Sequence, residues 1–225
     1  MENDDILINK TIKFIDKVLE NRQWSHGIEH CKCVLKNALN IWDKEGVKLL
    51  DDNKINPLFY TNIPIRTLIG VVALLHDVCD HKYKNTANFQ KIKECQTKFL
   101  QDMLNQTDIH IIVSVIDNIS FSKEQEYGIS KNLTDLEHLI RNVVSDADKL
   151  EALGYIGIKR CMIYQREVNI EENQGLSEEQ LKSKAIYHMR NKILKLYPDF
   201  FRTKSAMSIA HERHEIMKSW LEVNS

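Results

Sequence analysis

Glycine and proline are scarce, with 7 and 3 residues in a chain of 225. A fold built from many short strands needs turn residues at frequent intervals, so their scarcity argues against an all-β architecture and for helices. Cysteine is thin too. Five residues, an odd number without framework-like spacing, exclude a disulfide scaffold and fit reduced thiols. Cys31 and Cys33 stand as C-x-C and on a helix would point about 200° apart, which suits neither a zinc ribbon nor a thioredoxin-type motif. No charge of one sign dominates: 31 Lys and Arg against 32 Asp and Glu leave −1, so no global field recruits nucleic acid or an anionic membrane. A locally basic pocket for a phosphorylated substrate remains compatible with that balance. No apolar run approaches the roughly 20 residues of a membrane span. The acidic start Met1-Glu2-Asn3-Asp4-Asp5 also lacks the apolar stretch of a signal peptide. The expectation is a soluble cytoplasmic protein with neither nucleic acid nor membrane as partner.

What is present is helical periodicity. Residues 5–22 carry Ile6, Leu7, Ile12, Ile15, Val18 and Leu19 at helical spacing. Trp24 to Gly27 breaks that pattern, and Ser25 is a candidate N-cap for a second helix through His30, Val34, Ala38 and Ile41. An acidic, Asn-rich loop is expected over 43–62. Pro64 suits the first turn of a third helix, which carries the apolar run from Ile69 to Leu75. Further helices are expected over 87–104, from a cap at Thr107 or Asp108 to Ile119, from about Asn132 to a break near Gly154, and on to about Arg166. Polar stretches at 120–130 and 169–180 read as loops, the second as a mobile connector or a lid. Two helices over 183–222 separate around Pro198. No repeat or linker divides the chain, so the reading is one all-α domain spanning 1–225, with a core over about 25–166.

The chemistry gathers at Leu74-Leu75-His76-Asp77-Val78-Cys79-Asp80-His81-Lys82. Adjacent His and Asp directly after an apolar run fit a plain helix end, and they also fit two ligands of a divalent cation. Other ligands must come from elsewhere. His30 lies beside the apolar stripe of its helix, with His26 one turn before it. In the helix from Leu133, Asp146 and Asp148 fall at opposite rims of the apolar arc, about 160° apart. A carboxylate at such a rim is costly unless paired or metal-bound. Geometry alone does not choose between the two. Single histidines His110, His138 and His188 read as surface or packing residues. His211 and His214, around Glu212, have ligand-like spacing without a partner, on a segment read as core-facing. The Trp and Phe residues read as core, and no P-loop, GxGxxG or nucleophile elbow is present.

Taken together, His30, His76-Asp77 and Asp148 resemble the H…HD…D signature of the HD-domain phosphohydrolases, most closely the small bacterial-type branch. Three blocks in order carry the likeness: Ser25-His26-Gly27-Ile28-Glu29-His30, Ala73 to Lys82, and Asp146 to Arg160. A matching tail runs from Lys192 to Arg213, so the resemblance spans residues 25 to about 222. It implies an HD-domain-like helical bundle with a metal site in a central cleft. It also implies His30, His76, Asp77 and Asp148 as ligands, leaving Asp146 a supporting or packing role. The donor set, two imidazoles and two carboxylates without a thiolate, suits one divalent ion: Mn²⁺ first, with Mg²⁺, Fe²⁺, Co²⁺ and Ni²⁺ as alternatives.

Asp80, one turn past Asp77, matches an acidic residue that related enzymes keep near the attacking water, and is the candidate general base. His26, His81, Lys82 and Lys149 are candidates for the substrate phosphates. Arg160 reads equally as a packing residue. The implied activity is hydrolysis of a nucleoside triphosphate with pyrophosphate release. The alternatives are a nucleotide monophosphatase or phosphodiesterase, or a nucleotide-binding HD module without turnover. Lys149, Glu151 and Cys79 depart from the branch's usual residues, which weakens any transfer of phosphate-pocket detail.

Overall fold

The computed structural model describes residues 2–20, 27–79 and 88–224. At its centre lies a helix buried along its whole length except at Arg66 in its first turn. α3 (Ile65–Leu75) begins after Pro64, whose missing N–H is harmless at a helix start. Leu68, Ile69, Val71, Val72, Ala73, Leu74 and Leu75 are all fully buried. A helix apolar on every face must be wrapped on every side. Here α1 (Glu2–Val18), α2 (Ile28–Asp52), α5 (Gln106–Asp117) and α7 (Asp135–Leu150) pack around it, while α4 (Phe89–Met103) rests on α1 and α5.

α7 is the best specified of these helices. Thr134 caps it in a reciprocal box, with Thr134 Oγ1 accepting from Glu137 N at 3.3 Å and Glu137 Oε2 accepting from Thr134 N at 2.7 Å. It ends at Leu150, and Gly154, at φ +68°, supplies the left-handed turn from which α8 (Gly154–Glu171) departs. At Gly157 a Cβ would stand 1.9 Å from the Ala152 carbonyl oxygen, so α8 can lie this close to the end of α7 only with glycine there. α8 packs against α9 (Glu178–His188) and α10 (Lys204–Asn224), and α10 returns to α7 and α2. One hydrophobic cluster runs through the whole, from Leu7 to Leu221.

The helical expectation holds, and among the described residues there is no strand. Several boundaries are corrected. α2 continues to Asp52, so the expected 43–62 loop shrinks to the segment after it, where Pro57–Phe59 form a 3-10 turn. Asn105, rather than Thr107 or Asp108, caps α5 by accepting from Asp108 N at 3.0 Å. The 120–130 stretch holds a short helix, α6 (Phe121–Tyr127). The expected 169–180 loop shrinks to the residues between two helices: α8 reaches Glu171 and α9 starts at Glu178 under a Ser177–Gln180 capping box. α10 turns Ala206, Ala210, Met217 and Leu221 to the core, in line with a core-facing segment, and leaves His211 exposed. The Ser25 cap lies outside the described residues. No helix among the described residues is long and apolar enough to cross a membrane.

Candidate metal centre

Three elements deliver four side chains to one point because α3 is packed against both α2 and α7. His30 sits in the first turn of α2, His76 and Asp77 follow directly on α3, and Asp148 lies in the last turn of α7. His30 Nε2 is 3.2 Å from Asp148 Oδ1 and 3.7 Å from Asp77 Oδ2. His76 Nε2 is 3.8 Å from Asp148 Oδ1 and 3.9 Å from Asp77 Oδ1. The two imidazoles meet edge to face with centroids 5.3 Å apart. One donor atom each of His30, His76 and Asp148 lies within 4.8 Å of the others.

The local chemistry fits a cation. His76 Nδ1 is 2.8 Å from the Ala73 carbonyl, which can only accept, so the ring proton sits on Nδ1 and the Nε2 lone pair faces the cluster. That Nε2 is buried and makes no hydrogen bond among the described residues. Burial, aided by the nearby Arg160 guanidinium, lowers the His30 pKa to about 4 against the pull of Asp148 and Asp77, so the ring is neutral at neutral pH. Burial by itself would raise the Asp148 pKa. The His30 hydrogen bond and the two imidazoles outweigh it and hold the carboxyl below its ordinary range, as an anion. Neutral imidazoles and ionised carboxylates are the protonation states that ligation requires.

Asp146, at the other rim of α7, turns away from this cluster. Its carboxylate accepts from Arg202 N at 2.9 Å, Thr203 N at 2.7 Å and Thr203 Oγ1 at 2.8 Å, tying α7 to the chain entering α10. Burial raises its pKa, opposed by Lys149 and these donors.

A cavity of about 510 Å³ opens beside the cluster. His30, His76, Asp77 and Asp148 line one end, and Lys123, Lys149, Arg160 and Lys192 add positive charge to its walls. Lys149 reaches it while its ammonium donates to Glu124 Oε2 and to the Phe200 carbonyl, both at 2.8 Å. Asp80, His26, His81 and Lys82 lie outside the described residues. Sequence reasoning missed Phe121, Tyr164, His188 and Lys192 as cavity residues. From the sequence Phe121 reads as core and His188 as surface or packing, and neither carries a local mark of its position.

No protein-family model matches the chain. The uncharacterized protein YpgQ of Bacillus subtilis is 23% identical over 204 residues, which cover 91% of this chain and 85% of YpgQ. The crystal structure of YpgQ in complex with ADP aligns with a TM-score of 0.65 at 22% identity, covering 97% of this chain and 93% of that one. An HD-superfamily hydrolase from Bacillus thuringiensis aligns with a TM-score of 0.63 at 25% identity, over 97% of this chain and 95% of its own. A Lactobacillus plantarum protein reaches 0.66 at 25% identity, over 96% and 94%. An all-helical fold of this kind, with a His/His/Asp group able to hold a metal ion, defines a metal-dependent hydrolase. These likenesses support membership of the HD-domain superfamily.

Proposed function

We propose that the protein is a nucleotide phosphohydrolase that cleaves nucleoside triphosphates with release of pyrophosphate, in an active site spanning the cluster and its cavity. The observation that carries this reading is the juxtaposition itself: two imidazoles and two carboxylates at one end of a cavity whose walls present four cationic side chains and two aromatic rings. Metal-ligating groups of this kind beside a cationic pocket suit a phosphoryl group, and Phe121 and Tyr164 suit a base. The ADP found in the YpgQ crystal supports a nucleotide in particular.

In this reading His30, His76, Asp77 and Asp148 hold one divalent ion, with Mn²⁺ the first to test. When bound, the ion supplies Lewis acidity to a water and to a phosphoryl oxygen. Lys123, Arg160 and Lys192 neutralise the polyphosphate, and Lys149 contributes from its anchored position. Asp80 is assigned the proton of the attacking water, and His26, His81 and Lys82, near His30 and Asp77 in sequence, are assigned to the phosphate oxygens. The continuity of the core from α1 to α10 supports treating residues 1–225 as one functional unit.

The test is release of pyrophosphate and of orthophosphate from a nucleotide panel with Mn²⁺, comparing wild type with Asp77→Ala. Pyrophosphate release should dominate and fall in the variant by at least about a hundredfold, since even groups behind the ligands are worth 10–100-fold. Orthophosphate from monophosphates, or product that persists in the variant, would overturn it.

A further inference from the structure

Five consecutive residues, Ile119 to Lys123, line the cavity. They form the α5–α6 connection and the first turn of α6. Apolar packing holds Ile119 in the core and sets the Phe121 ring edge to face on Phe200 with centroids 4.9 Å apart, yet Glu124 alone of the seven α6 residues is buried. Behind the strip stands Arg141 of α7, itself fully buried. Its Nε donates to the Asn118 carbonyl at 3.0 Å and its Nη2 to Glu124 Oε2 at 2.6 Å, so one guanidinium holds the residues on either side of the cavity strip. Lys149 Nζ donates to the same Glu124 oxygen at 2.8 Å, and Arg202 Nη2 donates to Glu124 Oε1 at 2.8 Å. Across the cavity mouth, Lys192 reaches Ser122 Oγ at 3.5 Å and lies 5.9 Å from the centre of the Phe121 ring.

We propose that Glu124, gripped by Arg141, Lys149 and Arg202, is a positioning residue that clamps the 119–123 rim in the geometry that binds the substrate. The inference rests on the nucleotide reading of the cavity. A buried ion pair is a poor source of net stability against an apolar replacement, and its best attested use is to fix register. That use fits here. A greasy contact would let a seven-residue helix slide, whereas a fork of directed hydrogen bonds sets one position for Phe121, Ser122 and Lys123. The clamp also joins this rim to the helix that carries Asp148. Releasing it lowers the population of the binding-competent rim, and apparent affinity falls by that fraction.

The experiment uses metal-loaded full-length protein, with a non-hydrolysable α,β-methylene nucleoside triphosphate titrated by calorimetry. It is paired with amide hydrogen exchange over 118–127 and 135–150. Glu124→Gln should weaken binding by about tenfold or more, as expected when the competent rim becomes a minor state. Exchange should rise over 118–127 only, with metal content unchanged. Arg202→Gln removes one cation whose side chain is 32% exposed, and should act in the same direction more weakly. If Glu124→Gln does not fold, Arg202→Gln decides by the same criteria. Unchanged affinity beside normal wild-type turnover overturns the clamp and leaves the hydrolase reading intact. Equal loosening of 135–150 with loss of metal also overturns it, as a general stability role. A wild type that binds the analogue without turning over triphosphates sinks the pyrophosphate reading and leaves the clamp standing. A wild type that does not bind it overturns the clamp.

Discussion

His76 and Glu124 show how single side chains are prepared by their surroundings. The Ala73 carbonyl fixes the His76 tautomer and leaves a buried lone pair aimed at Asp77 and Asp148. Glu124 is prepared by opposite charge. Burial would push its pKa up, but Arg141 and Lys149 outweigh it and hold it below its ordinary 4.5. A carboxyl depressed in the folded state stabilises above its unfolded pKa and loses that contribution as pH falls through the folded value. The unfolding free-energy gap between wild type and Glu124→Gln should therefore be widest at neutral pH and narrow as pH drops below about 4. Urea melts at both pH values would check it, and a gap that grows on acidification would contradict the assignment.

At the scale of elements, α7 and α8 separate stability from function. Thr134 caps α7 at the end opposite Asp148, about 20 Å away along a helix rising about 1.5 Å per residue. Thr134→Ala should lower stability by about 1 kcal/mol and leave turnover near wild type. Gly157 is different. A methyl group there meets the Ala152 carbonyl and the Met217 side chain, so α8 must shift, and α8 carries Arg160 and Tyr164 to the cavity. Gly157→Ala should cost about 1–3 kcal/mol and raise KM as well. Thermal melts with steady-state kinetics on both variants separate the two behaviours, and a Gly157→Ala enzyme with wild-type KM would count against the α8 wall.

For the whole molecule, the ligands come from α2, from the end of α3 and from α7, so an ion bound among them ties the central helix to two of its neighbours. Binding to the native state alone stabilises by about 2.7 kcal/mol at a hundred times Kd. Adding Mn²⁺ to chelator-treated protein should raise Tm by several degrees, and His76→Ala should lose most of that rise. Differential scanning calorimetry with and without Mn²⁺ decides it. An equal rise in both proteins would remove His76 from the ligand set.

Local pattern was enough for much of this architecture. Scarce glycine and proline with three- and four-residue apolar spacing made the chain helical, because each helix must bury one face and that need is written in its own residues. The His-Asp pair closing an apolar run was an equally local mark. Packing decided the rest. Asp146 and Asp148 sit at opposite rims of one helix, so periodicity left the choice open; the resemblance implied Asp148, and the neighbours of α7 bring Asp148 to His30 and Asp146 to Thr203. His188 and Lys192 reach the cavity around a π turn at Met189–Ile193, which shifts the helical phase that a sequence reading counts on. Glu124 sits in a polar stretch that reads as loop. It is buried because three cations distant in sequence, Arg141, Lys149 and Arg202, converge on it. Periodicity records what a helix must hide, whereas charge pairing between elements depends on which helices meet.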